Sequence, residues 1–285
     1  MKLAIIGAGA MGKWFAEFAK NRGLEVIITD TERKKAQETA NELGIEFSTD
    51  NEEATENADM VMICVPIKET PKVIEELSDS LKKDSILFDI ASVKEDAVAK
   101  MEELNVKTEL ASMHPLFGPG ANTLEGKTII SIPVNDGKRY QELKGLLSDL
   151  GAEIIEMEAN EHDRLMAVIQ SLTHFTLLTY LSALNSMKNS EKAKEFQTPI
   201  FKKLLDLSKA FLQEDPKLCG DIQTENKYSS IARSSVLEAC RSLDVALKAE
   251  NVKVIREIFE ETNEKMDSEE IELAYEKLYE ETEGE

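Results

Sequence analysis

The 285-residue chain has three cysteines, three histidines and one tryptophan. Cys64, Cys219 and Cys240 are far apart and odd in number, so neither a disulfide framework nor a CxxC or Cys/His zinc cluster is written into it. The reading is a reducing compartment, packing roles for all three thiols, and no metal. Basic residues are in deficit, with 34 Lys and Arg against 55 Asp and Glu and a formal net charge of −21. Such a surface repels phosphate backbones at long range, which argues against nucleic-acid binding but leaves room for a nucleotide in a local pocket. Long apolar runs are also missing. The opening MKLAIIGAG has too short an apolar run for a secretory signal, and no stretch reaches the ~18–20 unbroken apolar residues of a membrane span. The expectation is a soluble, cytoplasmic protein.

What is present is a chain of two styles. At roughly 150 residues per domain, the length suggests two domains. In the first half, short apolar runs alternate with helical patterns. Strands are expected at Leu3–Ile6, Val26–Thr29, Ile45–Phe47, Met60–Val65, Ile86–Ile90, Leu110–Met113 and Thr128–Ile132, and helices near 32–43, 70–81, 94–104 and 138–149. Continuous apolar strands separated by helices indicate a parallel sheet in an α/β fold. From Asn160 onward apolar residues recur at helical spacing, as in Leu165, Val168, Ile169, Leu172 and Phe175, and about five helices fit. The expected division is 1–157, a Rossmann-type dinucleotide-binding domain, and 158–285, an all-α domain. The acidic end, Asp267–Glu285, keeps an apolar stripe at Ile271, Ala274, Tyr275 and Leu278 and reads as an amphipathic helix.

Gly7-Ala8-Gly9-Ala10-Met11-Gly12 is a GxGxxG between an expected strand and an expected helix. Gly7 allows the tight turn, Gly9 lets a pyrophosphate approach the backbone, and Gly12 lets the helix lie close to the strand. The anion then sits at the helix N-terminus, over the stretch that includes Ala8 and Met11. Asp30, at the end of the second strand, stands where a carboxylate accepts the adenosine ribose hydroxyls. It would repel a 2′-phosphate, so NAD is expected, with NADP the alternative because Arg33 and Lys34 lie nearby. Val65-Pro66 follows the fourth strand, where such folds place the nicotinamide ribose.

All three histidines fall in three distinctive stretches: Ser112-Met113-His114-Pro115-Leu116-Phe117-Gly118-Pro119, His162-Asp163-Arg164-Leu165-Met166-Ala167, and Gln170-Ser171-Leu172-Thr173-His174-Phe175. A fourth stretch, Ala91-Ser92-Val93-Lys94, follows the Ile86–Ile90 strand. Loops after the carboxyl ends of parallel strands form the ligand crevice, and Ser92 and His114 are expected on such loops. An imidazole there serves as acid, base or acceptor near neutral pH.

Together with Asp215-Pro216 and Asp221-Ile222, these stretches resemble the prephenate dehydrogenase family of tyrosine biosynthesis over nearly the whole chain. The resemblance implies oxidative decarboxylation of prephenate to 4-hydroxyphenylpyruvate with reduction of NAD, and a helical second domain of the 6-phosphogluconate dehydrogenase kind. His114 matches the family's catalytic histidine, Ser92 the serine that bonds near it, and His174 a substrate-contacting histidine. His162 and Asp163 match a helix start and read as structural, with Asp163 favourable near a helix N-terminus. The resemblance also implies a homodimer built on the helical half. The chain leaves no room for a fused mutase or regulatory module, so a monofunctional enzyme is expected. Two positions depart from the family: a substrate-gripping arginine five residues before Asp215 is Ala210 here, so that Lys209 beside it or a nearby base (Lys202, Lys203 or Arg233) substitutes or the substrate differs, and Cys219 stands where an aromatic such as Tyr is expected. Arogenate dehydrogenase is the nearest alternative. β-Hydroxyacid dehydrogenases and a non-catalytic NAD sensor are more distant ones.

Overall fold

The computed structural model describes residues 1–193 and 195–283. It divides into two compact units, Met1–Met166 with Thr224–Lys227, and Ala167–Gln223 with Tyr228–Glu285. The first unit extends past residue 157 because the helix that follows packs on the sheet domain and buries Met166 against Val98, Ile130 and Ile132.

The sheet unit runs β1 (Lys2–Ile6), α1 (Ala10–Lys20), β2 (Glu25–Thr29), α2 (Arg33–Leu43), β3 (Glu46–Ser48), α3 (Asn51–Thr55), β4 (Met60–Ile63), α4 (Thr70–Leu77), β5 (Ile86–Asp89), α5 (Glu95–Glu103), β6 (Glu109–Pro115), β7 (Thr128–Pro133), α6 (Lys138–Asp149), β8 (Glu153–Glu156) and α7 (Ala159–Met166). Its eight strands lie in the order β3-β2-β1-β4-β5-β6-β7-β8. The order reverses between β1 and β4, where doubly wound sheets open a ligand crevice. All pairings are parallel except β6 with β7, which is antiparallel. That pairing and β8 were not foreseen; β8 is mostly exposed and lacks the apolar run that marks a buried strand.

Successive side chains alternate between the two sheet faces. One face packs Leu3, Ile5, Met60, Met62, Phe88, Ala111 and Met113 against α1, α2 and α6. The other packs Ala4, Ile6, Val61, Ile63, Leu87 and Leu110 against α3, α4 and α5. Burying a Leu, Ile or Phe in such a layer contributes roughly 1.5–3 kcal/mol.

The helical unit holds α8 (Thr173–Ser186), α9 (Ser190–Ala193), α10 (Pro199–Phe211), α11 (Pro216–Glu225, up to Gln223), α12 (Ser229–Lys248), α13 (Lys253–Asn263) and α14 (Ser268–Glu283). Before α8 the backbone makes a π-helical stretch, Ala167–Leu172, which packs on α12, where Ser171 and Ser229 hydroxyls lie 2.6 Å apart. No strand occurs after β8 among the described residues. The acidic end is helical as expected, except that residues 284–285 lie outside the described residues. By length and composition alone, Ala159–Ser186 is long and apolar enough to cross a membrane, although ionisable residues interrupt it. Two of these, His162 and Asp163, are buried and bonded within the sheet unit.

Candidate active site

At the β1–β4 switch point, the glycine loop is closely fitted. Gly7 adopts φ +111°, and a Cβ there would lie 2.5 Å from the Cys64 carbonyl oxygen. At Gly12 a Cβ would lie 2.0 Å from the Gly7 carbonyl oxygen, so any side chain would push α1 off the strand. Gly9 faces open space and begins α1 in an extended conformation with no side-chain cap. The first-turn N–H groups are thereby left for an anion. Asp30 follows β2; its Oδ2 accepts the Ala8 N–H at 2.9 Å and its Oδ1 the Glu32 N–H at 2.9 Å. Lys35, rather than Arg33 or Lys34, ion-pairs with it at 3.5 Å. Val65 and exposed Pro66 follow β4, and Pro66 begins a single 3-10 turn. Ala8 is buried, and Met11 packs against the hydrophobic core. These residues fit a dinucleotide.

The glycine loop is tied to the loop after β6. Trp14 on α1 donates its indole N–H to the Ala121 carbonyl at 2.7 Å and meets Phe117 edge-on with ring centroids 5.3 Å apart. Trp14 was not singled out from the sequence; it reads as one aromatic on an amphipathic helix.

On the opposite face of the sheet, polar groups stand where the pattern calls for apolar ones. Asp89, Ser112 and His114 share that face with Leu87 and Leu110, and all three are buried. His114 lies within β6, paired with Ile130 of β7, and not in the loop beyond, because the antiparallel partner carries the strand through Pro115. Beside it Lys94, fully buried, donates from Nζ to Asp89 Oδ1 at 2.7 Å, Ser112 Oγ at 2.9 Å and the Met113 carbonyl at 2.7 Å. Asp89 also accepts the Ala91 N–H at 2.9 Å and the Ser112 hydroxyl. Three acceptors on one ammonium offset the desolvation that burial imposes. Burial pulls the Lys94 pKa below its usual value, and Asp89 opposes that pull.

His114 Nδ1 lies 2.8 Å from His162 Nε2, and His162 Nδ1 lies 2.7 Å from Asp163 Oδ1. Asp163 Oδ1 and Oδ2 also accept the N–H groups of Lys94 at 2.9 Å and Glu95 at 3.0 Å. Asp163 does sit at a helix N-terminus, but that of α5 and not its own, where the peptide dipoles favour a carboxylate. Asn226 bonds the Asp163 carbonyl at 2.7 Å and fixes α7 from below. Burial, then the neighbouring His162 and Lys94, hold the His114 pKa well below the ordinary imidazole value. Burial also lowers His162, against the pull of Asp163.

The remaining candidates divide. Ser92 is half-buried in the loop between β5 and α5, and among the described residues its hydroxyl makes no hydrogen bond to His114. In the helical unit, His174 on α8 packs its ring 5.0 Å from that of Phe211 on α10. Its Nδ1 is buried without a hydrogen-bond partner, as is the Tyr180 hydroxyl on the same helix, and burial lowers the His174 pKa. Lys209 is exposed and bonds Asp206 at 2.8 Å within α10. Cys219 is buried as expected, whereas Cys240 is exposed.

The chain matches two family models: the prephenate dehydrogenase nucleotide-binding domain over residues 15–156, and the prephenate dehydrogenase dimerization domain over residues 158–261. It is 30% identical over 268 residues to a probable arogenate/prephenate dehydrogenase of Methanocaldococcus jannaschii, covering 90% of this chain and 60% of that one. It is 29% identical over 225 residues to the T-protein of Haemophilus influenzae, covering 78% of this chain and 55% of that one. The chain thus spans little more than half the length of these relatives. Among solved structures, prephenate dehydrogenase from A. aeolicus, in complex with hydroxyphenyl propionate and NAD+, shares the fold with a TM-score of 0.72 at 24% identity, over 93% of this chain and 98% of that one. With a nucleotide loop in the first unit, a buried histidine chain on the far side of its sheet and both family models matched in order, the chain belongs to the prephenate dehydrogenase family.

Proposed function

We propose that this protein oxidatively decarboxylates prephenate, a cyclohexadiene with a 4-hydroxyl, a ring carboxylate and a pyruvyl side chain, to 4-hydroxyphenylpyruvate. The observation that carries the reading is His114: a buried imidazole held neutral by its surroundings, on the β6 strand of a nucleotide-binding sheet. A neutral imidazole is the form that accepts a hydroxyl proton.

When bound, NAD supplies the hydride acceptor. Gly7, Gly9 and Gly12 shape the seat of the pyrophosphate, Asp30 takes the ribose hydroxyls and disfavours a 2′-phosphate, and Val65-Pro66 borders the nicotinamide ribose. His114 accepts the 4-hydroxyl proton as the hydride leaves the same carbon. The ring carboxylate then departs as CO2, its bonding electrons complete the aromatic ring, and the proton returns to the oxygen. Atoms and charge balance with no net proton released. Aromatisation drives the step, so the protein's task is orientation and custody of one proton. Ser92 bonds the substrate hydroxyl. His174 contacts the substrate, a role supported by its unpartnered Nδ1, since buried polar atoms ordinarily have partners. Lys209 is the candidate grip on a substrate carboxylate where the family has arginine, through one ammonium instead of a bidentate fork.

Arogenate, with an amino group on the side chain, is the second reading, because the Methanocaldococcus jannaschii relative carries both names. We assign the protein to the cytoplasm and to a homodimer, the latter on the match to a dimerization domain and on the exposed Ile255, Ile258 and Phe259 of α13. The test is turnover by the full chain of prephenate and, separately, arogenate, each with NAD and with NADP. NADH formation coupled to CO2 release from prephenate is the expected result. Release of neither product from either substrate would overturn the assignment.

A further inference from the structure

His162 and Asp163 read from the sequence as structural residues, and the proposed reaction does not use them. Their geometry gives them work. A carboxylate oxygen only accepts, so the 2.7 Å contact at Asp163 Oδ1 places a proton on His162 Nδ1. A neutral His162 then presents an unprotonated Nε2, and the 2.8 Å contact to His114 places the shared proton on His114 Nδ1. The lone pair of neutral His114 is thereby at Nε2. The other end of the chain is anchored as firmly, because Asp163 accepts two backbone N–H groups at the start of α5 as well as His162. All three side chains are nearly inaccessible, with relative exposures of 3% for His114, 0% for His162 and 2% for Asp163.

We propose that His162 and Asp163 are positioning residues that fix His114 in the Nδ1–H tautomer and hold the substrate's proton during turnover. The inference rests on the reading of His114 as the base. The substrate O–H bond breaks and an N–H bond forms at His114 Nε2. The His114 Nδ1–H proton crosses to His162 Nε2, and the positive charge comes to rest on His162 beside the Asp163 carboxylate. When CO2 has left and the ring is aromatic, both transfers reverse and the phenolic O–H bond forms. Charged groups around the path favour that resting place. Lys94, at the start of α5, opposes a cation on either ring, but only His162 has carboxylates that offset it: Asp163 on α7, hydrogen-bonded to it, and Asp89 on β5 both favour a cation there. Burial suits the task, since a proton that must be returned gains nothing from a path to water.

With only three histidines in the chain, the proposal is open to direct measurement. Nitrogen-15 NMR of the full-length, histidine-labelled protein without substrate reports each ring's tautomer. The expected result is Nδ1–H for both His114 and His162 at neutral pH; an Nε2–H tautomer at either one overturns the proposal. This measurement is independent of the substrate, so a failure here is distinct from a failure of the turnover test. The kinetic arm is His162→Gln, whose amide oxygen keeps an acceptor near His114 but cannot carry the proton onward. The expected outcome is a kcat at least about tenfold lower with KM for prephenate within about twofold, and an acid limb of kcat/KM moved to lower pH because His114 must hold the charge alone. An unchanged kcat and pH profile overturns the proposal. If the variant does not fold, the tautomers of the unaltered protein decide.

Discussion

His162 lies 2.8 Å from His114, Nε2 to Nδ1, although 48 residues separate them in the chain. The contact joins a helix that follows the last strand to the strand that carries the proposed base. Through Asp163 it reaches the first turn of α5, so one hydrogen-bonded chain links three elements of the sheet unit.

Lys94 braces the same face. Replacing it with Met leaves Asp89 buried without its cation and Ser112 without a donor. The expected cost is about 3–5 kcal/mol of folding free energy. Chemical denaturation of Lys94→Met checks this, and Lys94→Met combined with Asp89→Leu is expected to recover part of the loss, because the unpaired charge is then gone.

The pH dependence of stability has a definite sign. His114 and His162 resist protonation in the folded chain, while the unfolded chain titrates them in the ordinary histidine range. Below that range the unfolded state binds more protons, so their contribution is full above it and declines as pH falls. The denaturation midpoint is expected to drop between about pH 7 and pH 5, before the carboxylates titrate. A His114→Asn, His162→Gln double variant should show a smaller drop over that window.

Gly12→Ala should abolish nucleotide binding and lower stability, because the new Cβ meets the Gly7 carbonyl oxygen, a backbone atom that cannot turn aside. Gly9→Ala meets no atom of the protein and should fold normally, losing affinity only through the space a pyrophosphate needs. Calorimetric titration with NAD, beside a thermal melt, separates the two effects.

Asp30→Ala removes the carboxylate that receives the Ala8 N–H and is assigned to the ribose. The KM for NAD should rise about tenfold or more, the equivalent of one hydrogen bond to a charged group. Discrimination against NADP should weaken, with Lys35 released from its ion pair. Initial rates with both cofactors check this.

The alternation of apolar strands and helices, the glycine turn and Asp30 were legible because each is a local pattern with a local cause. The first strand falls within a residue of expectation. The antiparallel turn to β7 was not legible, since apolar residues in a buried strand do not encode its direction, and it is this strand that draws His114 into the sheet. The histidine stretches were visible as unusual, but not their joining. His162 and Asp163 looked like a helix start because a neighbour 48 residues away leaves no mark on local spacing. The role of Lys94 leaves no mark in its motif, because a lysine reads as solvated until three acceptors are seen around it.

The proposed role of His114 as the base is tested by NADH formation from prephenate by the unaltered chain and by His114→Asn. Activity is expected to fall by roughly 10²-fold or more in the variant, with its fold and NAD affinity retained. Activity that survives the substitution would contradict the assignment of His114.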